Sequence, residues 1–144
     1  MAAASPKASE IVSIARGWLG TPYRHQASLR GAGCDCIGLI RGVWREIGGR
    51  EPKRLPAYSK DWAETGGEEA LLNGLAAQFA HVPSDARKAG MVAVFRWRQS
   101  CAAKHAALLT GPDGMIHVHE GICVSEVAFC TWWQRRLAGV FIMG

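Results

Sequence analysis

The strongest constraint on the fold is a change of hydrophobic period partway along the chain. Apolar residues recur at helical spacing up to Phe79, and from Gly90 onward they fall into short, partly β-branched runs. Ile11, Ile14, Ala15, Trp18 and Leu19 form one helical stripe, with Ser9 as its expected N-cap and Gly20 and Pro22 as its stop. A second stripe, Ile40, Val43, Trp44 and Ile47, starts from Asp35 or Cys36 and ends at Gly48 and Gly49, with Asp35 as the expected N-cap. A third, over residues 68–79, repeats Leu71, Leu72, Leu75 and Phe79, although Gly74 weakens it. Residues 48–67, rich in Gly, Pro and charge, read as a long connection within a single domain spanning residues 1–144.

Strand-like runs follow at residues 91–97, 105–110, 115–119, 123–127 and 138–143, with a short helix expected near residues 131–136. Helices therefore precede strands instead of alternating with them. That order predicts an α+β fold, N-terminal helices packed on a C-terminal antiparallel sheet, and excludes a doubly wound parallel sheet.

With 144 residues and 49% hydrophobic content the chain can bury one core, and disorder is excluded. No apolar run approaches the roughly 18 residues of a spanning helix, so no membrane insertion is expected. The first ten residues lack the apolar stretch of a secretory signal, which gives the expectation of a cytoplasmic location after synthesis. Five cysteines, an odd number, argue against a full disulfide framework and leave free thiols or a metal site. The net charge of +5 favours anionic partners, whether nucleic acid, anionic lipid or cell-wall polymer, without choosing among them.

Chemistry concentrates in Gly33-Cys34-Asp35-Cys36-Ile37-Gly38-Leu39. A cysteine in the first turn of a helix meets unpaired N–H groups and the positive end of the helix dipole, which favour thiolate over thiol. Cys36 is thus the candidate nucleophile, and a backbone N–H beside it could stabilise an oxyanion. Gly38 would leave room for close approach of another backbone segment. Cys34 is read as structural.

A thiolate nucleophile needs an imidazole partner. His105, which opens a strand between small residues, is the candidate base. Gly111-Pro112-Asp113-Gly114 suits a type I turn closed by a left-handed glycine, pairing Gly111 with Met115. In that register His105, His117 and His119 share one face, but His117 opposes Leu109, roughly 13 Å along the strand from His105. His119 would oppose Ala107, so the ladder prefers His119 as the residue orienting His105, and His117 would need a bulge.

Asp35-Cys36-Ile37-Gly38-Leu39, with Gly20-Thr21-Pro22-Tyr23 before it and Lys104-His105 and Met115-Ile116-His117 after it, resembles the NlpC-type papain-like cell-wall cysteine peptidases. The likeness runs from about Glu10 to Phe141, and residues 20–25 and 132–136 are most similar to its phage-tail and gene-transfer-agent branch. The resemblance implies a papain-like fold and an endopeptidase that cuts peptidoglycan stem peptides between D-glutamate and a diamino acid. It implies Cys36 as nucleophile, His105 as base and His117 as the third, orienting residue. Tyr23 and Asp35 match substrate-side positions, and no metal or cofactor is implied. It further implies tail-hub or baseplate partners and carriage in a particle tail. Ile37, where the family more often has Ser or Ala, and Met91, where an acidic residue is common, depart from the pattern.

Other readings compete. An amidase or acyltransferase would use the same thiol mechanism, and a non-catalytic tail scaffold could retain the motif. A zinc-binding module could draw on Cys34, Cys36, Cys101, His105, His117, His119 and Cys123, although Cys-x-Cys and His-x-His lack the usual knuckle spacing. Arg135 and Arg136 beside Trp132 and Trp133 invite a nucleic-acid reading; an amphipathic terminal helix that buries its indoles is preferred.

Overall fold

The computed structural model describes residues 7–48 and 69–143. The predicted connection after Gly48, and Glu68 as the start of the third helix, lie outside the described residues. The chain runs through α1 (Ala8–Arg16), a small hairpin of β1 (Ser28–Leu29) and β2 (Gly33–Cys34), α2 (Cys36–Glu46) and α3 (Ala70–Gln78). Then come β3 (Ala80–Val82), β4 (Met91–Phe95), β5 (His105–Leu109), β6 (Gly114–His117), β7 (Ser125–Ala128), α4 (Thr131–Gln134) and β8 (Leu137–Ile142). The large sheet has the order β3-β8-β4-β5-β6-β7, every neighbouring pair antiparallel. The expected helices-then-sheet order is what forms. Strands β1, β2 and β3 escape sequence reading because two or three residues are too short to show alternation.

The first helix differs from expectation at both ends. Lys7, not Ser9, is its N-cap, and Ser9 lies inside the helix. The helix ends at Arg16, so Leu19 falls off the stripe and is 43% exposed. Trp18 nevertheless turns inward: its Nε1 donates to Glu46 at 2.8 Å, and its ring occupies the space that a side chain on Gly42 would need.

Alternation along the strands divides the interior in two. Val92, Val94, Ala106, Leu108 and Ile116 face α1 and α2, packing on Ile11, Val12, Ala15, Leu39, Ile40 and Val43. Ala93, Phe95, Ala107, Leu109 and Met115 line the opposite face with Phe129, and Trp133 of α4 packs against them. His105 and His117 belong by parity to this second face.

The hairpin between β5 and β6 corrects the expected register. Leu109 pairs with Met115 and Leu108 with Ile116, and Thr110 N–H donates to the Gly114 carbonyl at 3.0 Å. The loop is therefore Gly111-Pro112-Asp113, and Gly114 opens β6 without a left-handed φ. Gly114 is needed for a different reason: a Cβ there would lie 2.4 Å from the Thr110 hydroxyl. The pairing is displaced by two residues, so parity survives while His117 moves one diagonal step from His105. No bulge in that hairpin is required to bring the two rings together.

Candidate active site

Asp35 holds the start of α2. Its Oδ1 accepts from Gly38 N–H at 2.7 Å and its Oδ2 from Gln26 N–H at 2.6 Å, while the residue is only 3% exposed. Both oxygens are thus engaged by backbone, and Asp35 positions the helix start. Gln26 takes a left-handed φ of 62° to make its bond. The residues around it strap across the helix: Asp35 N–H donates to the Ala27 carbonyl at 3.2 Å and Ser28 Oγ to the Gly38 carbonyl at 2.6 Å. A Cβ on Gly38 would fall 1.8 Å from the Ala27 carbonyl oxygen, so the expected close backbone approach is real.

Cys36 is the first residue of α2 and is half-buried. Its Sγ donates to the Lys104 carbonyl at 3.9 Å, and the N–H groups of Ala106, Ile37 and Cys36 itself also point at the sulfur. The sulfur thus lies against peptide groups on both sides of His105. The sequence argument expects a thiolate here, and the structure reverses it. Burial pushes the thiol up to about 12, the Asp35 charge pushes in the same direction, and the three N–H groups only partly oppose them. The resting thiol is neutral, and its hydrogen bond goes to Lys104, not to the His105 ring.

His105 is 2% exposed, and its Nε2 lies 3.0 Å from His117 Nδ1. That bond leaves His105 Nδ1 as the nitrogen open to a thiol. Burial, reinforced by the neighbouring His117 and His119, drives His105 well below its usual range. Burial likewise lowers His117 to about 4, with His119 adding to the effect. His119, preferred by the expected ladder, is instead half-buried and turned to the Glu120 carbonyl at 3.1 Å. The ring bonded to His105 is His117.

These two neutral histidines link stability to pH. Below about pH 6.5 the unfolded chain takes up protons that the folded chain refuses, so stability is full above that value and falls toward pH 4. Allowing for partial solvent screening, His117 alone contributes roughly 2 kcal/mol of this loss. Thermal melts are expected to drop by about 4–8 °C between pH 7.5 and 4.5. The decline should be shallower in His117→Asn, and a flat profile in the wild type would contradict the assignment.

Tyr23 completes the cluster from the segment beside β2, bridging to Cys34. Burial raises its phenol, and electrostatic coupling to Asp35, Cys36 and Glu120 raises it further, which places it in electrostatic reach of the sulfur. Cys34 is fully buried in the core and its thiol is held at about 12, chiefly by burial. The family departures fit the packing: Ile37 is buried in the helical core, and Met91 packs on the second face. Among the described residues, no group of three or more His, Cys, Asp or Glu side chains is arranged to hold a metal. Also among the described residues, no helix is long and apolar enough to cross a membrane.

Sequence reasoning passed over an aromatic wall around His105. Trp97, after β4, lies 5.3 Å from its ring at 23°, and Trp133 lies 5.5 Å away at 28°. Trp133 was legible as the apolar side of an amphipathic helix, but not as a neighbour of the site. Trp132 does not bury as expected; it is 47% exposed, with the Arg136 guanidinium stacked 3.6 Å from its ring.

The NlpC/P60 family profile matches residues 20–141. Among solved structures, the NlpC/P60 domain of the peptidoglycan hydrolase SagA superposes with a TM-score of 0.66 at 20% identity, covering 94% of this chain and 98% of that one. An NlpC/P60 family protein from Bacillus cereus gives 0.66 at 19% identity, covering 95% of this chain and 40% of that one. The peptidoglycan hydrolase RipB from Mycobacterium tuberculosis gives 0.59 at 18% identity, with 94% and 64% covered. The fold is thus the papain-like fold of these proteins, and the chain spans less than half of the Bacillus protein's length. No curated protein sequence matches significantly.

Proposed function

Because the chain belongs to the NlpC/P60 family, we propose that it is a cysteine endopeptidase that cuts peptidoglycan stem peptides. The observation that carries this reading is the convergence of Cys36, at the capped start of α2, on the backbone flanking His105, whose ring is bonded to His117.

In the proposed reaction the Cys36 thiol turns from the Lys104 carbonyl to His105 Nδ1 and gives up its proton there as Sγ attacks the stem-peptide carbonyl carbon. The carbonyl electron pair moves onto oxygen. The N–H groups of Cys36 and Ile37, which lack intrahelical partners at a helix start and point at the resting sulfur, pass to that oxyanion as the sulfur bonds to carbon. As the oxyanion collapses the C–N bond breaks, and the amine leaves with the proton from the His105 imidazolium. Water then adds to the thioester, with His105 again taking a proton, and a carboxylate and the free thiol are restored. His117 keeps the His105 ring in the tautomer and orientation that point Nδ1 at sulfur. Tyr23 acts at the substrate side of the cleft.

The bond cut is proposed to be that between D-glutamate and a diamino acid, and delivery to the wall to be as cargo of a phage-like tail with hub or baseplate partners. Those two details draw on residues 20–25 and 132–136 and on the Cys36 motif. Incubating the protein with purified sacculi and labelling new amino groups tests the reaction. The expected result is a free α-amino group on the diamino acid. New reducing ends without new amines, or no soluble product, would overturn it.

A further inference from the structure

His105 must become a cation during the proposed reaction, yet the ring it bonds to is a neutral histidine and not a carboxylate. The titratable groups around it are Cys36 of α2 with its N-cap Asp35, Tyr23, Lys104 just before β5, and His117, His119 and Glu120 from β6 and its exit. Of these, the neighbouring histidines oppose protonation of His105. The oxyanion formed in the same step carries the opposite charge, and a neutral third ring adds none.

Two indoles stand beside the His105 ring. Trp97 and Trp133 lie nearly parallel to the imidazole, at 5.3 Å and 5.5 Å between ring centroids. They are only 5.9 Å from each other, too close to occupy opposite faces of the imidazole, so they form a wall along one side of it. Phe95 extends that wall at 6.1 Å from His105 and packs edge-on against Trp133 at 5.0 Å. His117 instead meets His105 edge-on at 79°, which leaves the stacked side to the indoles. An indole face within about 6 Å of a cation attracts it through the ring quadrupole, most strongly where water is excluded.

We propose that Trp97 and Trp133 are positioning residues that hold the His105 ring plane and stabilise its protonated form, replacing the carboxylate that a neutral third residue cannot provide. The proposal rests on the peptidase reading for its purpose, but not for its measurement. The wall is assembled from two separate parts of the chain, the connection after β4 and α4, the helix that leads into β8.

The sign of a pKa change separates this role from simple burial. Trp97→Leu and Trp133→Leu keep apolar cover but remove the π face. A pH titration of the His105 imidazole by NMR in the isolated full chain is expected to show its pKa falling by about half to one unit in each. Trp97→Phe should fall less. If the indoles act only by excluding water, the leucine variants will leave the pKa unchanged or raise it toward 6.5, and the proposal fails. Should the leucine variants not fold, replacing tryptophan biosynthetically with ring-fluorinated tryptophan weakens the quadrupole at nearly constant shape. The same downward shift is then expected, and no shift overturns the proposal. On sacculi the leucine variants should lose about tenfold in kcat with little change in KM. Absence of any hydrolysis by the wild type would sink the peptidase reading while leaving the titration to judge the wall.

Discussion

Cys36→Ala is expected to lower the release of new amino groups from sacculi by about 10⁴-fold or more, because without sulfur there is no thioester route and water alone must attack the amide. The fold should survive this change. Cys36 is half-buried, and among the described residues its thiol donates to the Lys104 carbonyl at a long 3.9 Å. Its melting temperature should therefore stay within about 4 °C of wild type. Cys36→Ser should be nearly as inactive, since a hydroxyl is far harder to deprotonate than a thiol and His105 is a weak base in its buried setting. A folded Cys36→Ala protein that retained more than a hundredth of the wild-type rate would rule out the nucleophile assignment.

Gly38→Ala is expected to be the most damaging single substitution for stability at the site. Its Cβ would lie 1.8 Å from the Ala27 carbonyl oxygen and 2.9 Å from the carbonyl carbon, and backbone cannot swing aside as a side chain can. The strap at residues 26–28 must then lift from α2, loosening the Gln26–Asp35 and Ser28–Gly38 hydrogen bonds together. The cost should be about 3 kcal/mol or more, a fall of roughly 10 °C in melting temperature. Because the same contacts fix Cys36, the rate on sacculi should fall by about 10²-fold even where the protein remains folded. Gly111→Ala, where an added methyl meets nothing within 4 Å, is the matched control. Equal melting of the two variants would show that the strap does not need the glycine.

Long elements and the chemistry at their ends were readable from residue order because each carried its own local signal. Asp35 followed by an apolar stripe located α2 and Cys36 on it, and parity alone put His105 and His117 on one face. What residue order did not settle was decided by tertiary contact. The hairpin register turned on whether Gly114 served φ or space, and the Thr110 hydroxyl decided for space. Two residues of slip brought His117 to the diagonal position beside His105, and because β6 ends at His117 the next histidine, His119, turns to the Glu120 carbonyl instead. The thiolate expectation failed because helix-end N–H groups were weighed without the burial and the Asp35 charge that oppose them. Trp97 and Trp133 belong to separate segments, and nothing in either segment announces that both end beside His105.

The protonated sulfur has a consequence for durability. Peroxides and disulfides react with the anionic form, and a thiol that burial and the Asp35 charge push up keeps little of that form at neutral pH. Protonation therefore shields the Cys36 sulfur from oxidation at rest. Exposed Cys123 and Cys130 stand to absorb such damage first.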